Sequence, residues 1–190
     1  MSLLEIRVLG DPILREVTEP VAQVTDDVRR LMDNMFETMY AANGVGLAAP
    51  QVGRRERLCV MDVGDGPIAL INPVITLREG RARAEEGCLS IPDVYGEVDR
   101  ALKVSVDALD EHGEPITMEG TELLARCMQH EIDHLHGKLF LDYLSMLKRR
   151  SAMSKWDRIK KDFPGMRRVL SAQEPPEAGT DAHTDVHEEL

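Results

Sequence analysis

The sequence predicts an α+β fold, with mixed or antiparallel β-sheets packed around a central helix bearing His130-Glu131-x-x-His134, and a further helix near the C-terminus. Three observations lead there. Apolar residues at helical spacing precede residue 41, short β-rich runs fill the middle of the chain, and helical periodicity returns on both sides of residue 140.

Taken in order, Thr25 caps a first helix whose apolar stripe is Val28, Leu31, Met32, Met35, Phe36, Met39 and Tyr40, the methionines being core packing. Leu58 to Val63 is a short apolar run that reads as a buried strand. Ile68 to Leu77 is a second, with Pro73 at an edge or bend, and Ala101 to Ala108 a third, where Leu102, Val104 and Val106 alternate with polar residues. Asp110 to Pro115 makes a turn, so His112 is a surface residue rather than a ligand.

Leu123, Leu124, Cys127, Met128, Ile132 and Leu135 form one face of a helix with Thr121 as N-cap and Gly137 as left-handed stop. Leu139 to Leu141 is strand-like. Ser145 to Phe163 is a basic helix that Pro164 ends. Residues 1–168 are expected to form one catalytic domain and 169–190 a flexible acidic tail, in which His183 and His187 lack an apolar face and a third ligand.

A chain of 190 residues is long enough to bury one core, and 43% hydrophobic with 30% charged residues suits a globular enzyme. The net charge of −11 argues against broad nucleic-acid binding, DNA included. The N-terminus lacks a basic lead before a long apolar run, and no stretch reaches transmembrane length, so no membrane partner is expected. Three cysteines without disulfide-like spacing point to a cytoplasmic location.

Two imidazoles four residues apart lie on one helix face and can reach one divalent ion, with the intervening Glu131 placed to handle protons. An open catalytic site needs a third protein ligand. Phe140 stands where the metzincin pattern has its third histidine, and the next glutamate after His134 is Glu174, too far for the thermolysin arrangement. Cysteine remains. Cys59 lies in the buried run, and Cys127 shares the ligand helix and would crowd three ligands onto one side of the ion, so it reads as pocket wall. Cys88, after Gly87 and shortly before Pro92, can approach from across the fold.

Gly44-x-Gly46-x-x-Ala49 fits a relaxed dinucleotide fingerprint, but a helix precedes it where a strand is required, and no P-loop Gly-Lys-Ser/Thr follows. The three runs Gly44-Val45-Gly46-Leu47-Ala48-Ala49-Pro50-Gln51, Glu86-Gly87-Cys88-Leu89-Ser90 and Gln129-His130-Glu131-Ile132-Asp133-His134 resemble the signature motifs of bacterial peptide deformylases, of the Gram-negative type, across about residues 1–168.

That resemblance implies hydrolysis of the N-formyl group from the formyl-methionine of nascent peptides, releasing formate. It implies Cys88, His130 and His134 as metal ligands, with ferrous iron as the native ion and zinc, nickel or cobalt as substitutes; the ligands alone would suggest zinc. It makes Glu131 the proton carrier, and the Leu89 N–H and Gln51 side chain the donors to the formyl oxygen. Val45, Glu86, Leu123, Arg126, Cys127 and His130 should line or support the methionine pocket, Gly46 should pair with the peptide backbone, and Gly87 and Tyr95 should contact substrate. Arg126 departs from the apolar residue common in relatives, and is expected at the rim with only its stem in contact. On sequence alone the basic helix reads as a solvated face, whereas the resemblance implicates it in docking at the ribosome. The rival readings are a HExxH metallopeptidase and a noncatalytic metal-binding, ribosome-associated protein.

Overall fold

The computed structural model describes residues 2–170; the segment from Ser171 on, with His183 and His187 and most of the expected tail, lies outside the described residues. Helix α1 spans Asp26–Ala41, capped as expected by the Thr25 hydroxyl, which accepts from the Val28 N–H at 3.4 Å. Asp26 and Asp27 in its first turn suit the positive end of the helix dipole. The stripe from Val28 to Met39 is buried apart from the partly covered Phe36, whereas Tyr40 is exposed, its hydroxyl donating to Asp62.

Among the described residues, nine strands follow the antiparallel option of the predicted fold class. Strands β2 (Gly46–Ala48), β3 (Leu58–Met61), β4 (Ile68–Glu79), β7 (Lys103–Leu109) and β8 (Pro115–Thr121) form one sheet in the order β2-β3-β4-β7-β8. Strands β5 (Ala82–Glu86) and β6 (Gly96–Arg100) form a separate hairpin, and β1 (Ile6–Arg7) pairs with β9 (Arg167–Arg168). Pro73 does not mark an edge: β4 is internal, and the proline falls where register shifts between Ile71 and Val74. A bulge is where a strand tolerates a residue without an N–H. Asn72 sits there at φ 52°, its side chain exchanging two 2.8 Å hydrogen bonds with the Val21 backbone.

Helix α2 (Glu122–Leu135) packs on β8, β2 and β3, and so lies at the centre of the fold. Its N-terminus differs in detail from expectation. Thr121 holds the cap position without a side-chain capping bond, and Glu122, at φ 50°, turns the chain as its N–H donates to the Leu102 carbonyl. Gly137 ends the helix at φ 69°, and a Cβ there would come within 2.6 Å of the Arg15 carbonyl oxygen.

The expected strand Leu139 to Leu141 is instead the entry to a 3-10 turn, Phe140–Tyr143. A short apolar run has no decisive periodicity. Here Asp142 folds back to accept from the Leu139 N–H at 2.9 Å and pairs with Arg15, closing a turn rather than extending a strand. Helix α3 (Met146–Ile159) begins at the Ser145 cap and is followed by a 3-10 turn at Lys160–Asp162. It is anchored by buried Ala152 and Trp156, the latter stacked on Phe163 at 5.7 Å. Met146 and Leu147, 84% and 80% exposed, do not join that apolar face. No helix among the described residues is long and apolar enough to cross a membrane.

Candidate metal and catalytic centre

Cys88, His130 and His134 converge in the interior, their ligand atoms all within 4.8 Å of one another. The two histidines share a face of α2, while Cys88 arrives from the loop after the β5–β6 hairpin's first strand. The Cys88 Sγ lies 3.3 Å from the His134 Nε2. The His130 Nε2 is buried and has no hydrogen-bond partner among the described residues, a costly state unless another group satisfies it. Two imidazoles and a thiol at this spacing suit a borderline divalent ion with an open position.

The electrostatics agree. Burial alone would lower the His130 pKa, but the nearby Cys88 and Glu86 side chains raise it to about 10. Burial and the neighbouring His130 push His134 well below its ordinary value, leaving a neutral imidazole free to ligate. Cys59 and Cys127 are pushed up by burial and so remain thiols, Cys59 within β3 and Cys127 with its Sγ donating to the Val45 carbonyl at 3.4 Å.

Glu131 is fully buried and neither carboxylate oxygen has a hydrogen-bond partner among the described residues. Burial pushes its pKa up to about 7, close to the range in which a carboxyl both takes and returns a proton. Gln51 is held from both ends: its Oε1 accepts from the Ala48 N–H at 2.7 Å, and its Nε2 points at the Cys88 Sγ at 3.6 Å. Leu89 is buried beside Gly44, where a Cβ would meet its side chain at 2.7 Å. Gly46 lies against Glu131 and Cys127, and Val45 is buried next to it.

The other sequence-derived residues lie in different settings. Leu123 is at the surface of α2, 39% exposed, and Tyr95 is half-buried ahead of β6, flanking a hollow with Glu85, Leu144 and Lys148. Glu86 and Arg126 are not rim residues. Glu86 is buried, its Oε2 3.0 Å from the His130 Nδ1, and contacts with His130 and Arg100 overcome burial to hold it well below the usual carboxylate range. Arg126, expected at the rim, has its guanidinium inside, donating to Glu86 and to the Val98 and Ala82 carbonyls. A buried cation needs a buried anion, and Glu86 supplies it.

Two residues, Arg100 and Asp133, were given no role of their own from the sequence. Arg100 forks onto both Glu86 oxygens at 2.8 and 3.0 Å, pairs with Asp133, and stacks over the Tyr143 ring at 4.6 Å. Asp133 stands inside the third motif, two residues after Glu131, and its acidity next to a metal helix was the available signal.

The chain resembles known proteins throughout this region. The profile of the polypeptide deformylase family matches residues 3–150. A peptide deformylase of Alkalilimnicola ehrlichii is 54% identical over 163 residues, covering 84% of this chain and 92% of the relative. One of Desulfitobacterium hafniense is 53% identical over 150 residues, 79% of this chain and 100% of the relative. The crystal structure of a Legionella pneumophila peptide deformylase, 47% identical, superposes with a TM-score of 0.81 over 84% of this chain and 96% of that one. The chain belongs to the polypeptide deformylase family, hydrolases that remove the N-formyl group from newly made polypeptides.

Proposed function

We propose that Cys88, His130 and His134 hold one divalent ion, ferrous iron by the family resemblance, with zinc, nickel or cobalt as substitutes. Such an ion lowers the pKa of water and polarises a carbonyl. The remaining work falls to the chain. Glu131 takes a proton from the attacking water and returns it to the leaving amine, so that formate and a peptide with a free amino terminus leave the site. The Gln51 amide and the Leu89 N–H donate to the formyl oxygen as negative charge builds on it. Val45, Gly46, Gly87, Cys127, Leu123 and Tyr95 form the surroundings of the methionine and the residues after it, while Glu86 and Arg126 act from behind the ligands.

The observation that carries this reading is the unpaired, buried Glu131 carboxyl beside three converging ligand atoms. A noncatalytic metal site has no use for it. The test uses anaerobically prepared protein with a formyl-methionyl tripeptide and with an unformylated peptide. Formate release without internal cleavage is expected, and internal cleavage alone would support the metallopeptidase instead.

The ribosome is the proposed macromolecular partner and the cytoplasm the proposed location. Leu147, Arg150, Lys155 and Arg158 line a groove on the exposed side of α3, and this spacing of cations suits rRNA phosphates.

A further inference from the structure

We propose that Arg126 is a positioning residue of the metal centre, stapling the hairpin that delivers Cys88 to the helix that delivers His130 and His134. Its place in the chain makes this possible. Arg126 stands four residues before His130 on α2, so it projects from the same face one turn earlier. Its Nη1 donates to the Glu86 Oε1 at 2.6 Å and to the Val98 carbonyl at 3.0 Å, and its Nη2 to the Ala82 carbonyl at 2.9 Å. Ala82 belongs to β5 and Val98 to β6, so one guanidinium grips both strands and the carboxylate at the end of β5.

The consequence reaches the ligands through Glu86. Arg126 and the Arg100 Nε both claim the Glu86 Oε1, and the Arg100 Nη2 and His130 share the Oε2. With the carboxylate locked in this way, the His130 Nδ1–H donates to Glu86 and the Nε2 lone pair faces Cys88 and His134. Two residues further on, Cys88 is held in the same chain segment. The Glu86 and Asp133 carboxylates balance the Arg100 and Arg126 guanidinium groups. A planar fork is needed, since a lysine ammonium could satisfy Glu86 but not both carbonyls in the same geometry.

The inference rests on the metal-site reading given above, and the experiment separates the two. Cobalt is loaded into the full-length native protein and the variants Arg126→Met, Arg126→Lys and Arg81→Met; the thiolate-to-cobalt absorption band and the rate of cobalt loss to a chelator are recorded. Arg126→Met should lose cobalt roughly tenfold or more faster, as loss of a ligand-orienting partner does, with an altered band. Arg126→Lys should fall between it and the native protein. Arg81→Met, which breaks only the exposed Arg81–Asp99 pair on the same hairpin, should match the native protein.

Release from both Arg126 variants within about twofold of native, with unchanged bands, overturns the inference, because orienting partners matter by more than that. So does equal acceleration in Arg81→Met, which would mean general loosening of the hairpin. If Arg126→Met does not fold, Arg126→Lys decides alone, native-like release overturning the proposal and faster release with an altered band supporting it. Native protein that takes up no cobalt overturns the metal-site reading, and this inference with it.

Discussion

The carboxyl group of Glu131 occupies the space that a side chain at Gly46 would need. A Cβ there would lie 2.9 Å from the Glu131 Cδ and 2.8 Å from the Cys127 Sγ, and both neighbours are buried. Strand β2 therefore passes over the Glu131 carboxyl with bare backbone. Gly46→Ala is expected to displace Glu131 and to cost about 1–3 kcal/mol by overpacking. Thermal melting and formate release should both fall, and an unchanged turnover would show that the carboxyl is not where it works.

Replacing Glu131 by glutamine keeps the size and removes the titrating oxygen. Cobalt or iron content should stay at one per chain while kcat falls by about 10²–10⁴, the usual contribution of a positioned proton carrier. Metal analysis beside steady-state kinetics checks both halves, and retained turnover would remove Glu131 from the mechanism.

Gln51→Ala deletes the Nε2 donor and also the Oε1 that accepts from the buried Ala48 N–H, so a loss of stability of about 1–3 kcal/mol is expected beside the loss of rate. Loss of one donor to a developing oxyanion should reduce kcat by roughly 10²–10³ with KM little changed. A rise in KM alone would assign Gln51 to substrate binding instead.

Arg15 and Asp142 join the start of the chain to the turn before α3. Burial would raise the Asp142 pKa, but hydrogen bonds from Arg15 and the Leu139 N–H more than offset it, and the net shift is downward. A carboxylate depressed in the folded state stabilises it above the ordinary value of 3.8, and that contribution is lost as pH falls below it. Arg15→Met should lower the melting temperature at neutral pH, with the gap from the native protein closing in acid. A gap independent of pH would mean that the pair contributes packing alone.

Replacing Arg150, Lys155 and Arg158 together by serine should leave formate release from a tripeptide unchanged. Co-sedimentation with ribosomes should weaken, and its salt dependence should become shallower as phosphate contacts are lost. Unaltered, salt-insensitive sedimentation would place any ribosome contact elsewhere.

Most of the site's parts were legible because their signals are local. A two-histidine, one-glutamate pattern on a helical stripe, with Gly137 as its stop, needs only the period of the helix to be read. The strand that holds Cys59, the cap at Thr25 and the basic helix after Ser145 are of the same kind. The turn at Phe140–Tyr143 was not, because three apolar residues fit a strand or a turn equally well and Arg15, more than a hundred residues earlier, helps select the turn.

By itself, the sequence determined the family and the α+β class, and it supplied the proposed ligand types and proton carrier, since each rests on residue chemistry at short spacing. Only the tertiary structure decided what lies behind those ligands. Arg126 turns inward rather than outward because Glu86 and two hairpin carbonyls, 28 to 44 residues away in the chain, together offer a buried guanidinium the anion and acceptors that water would otherwise supply.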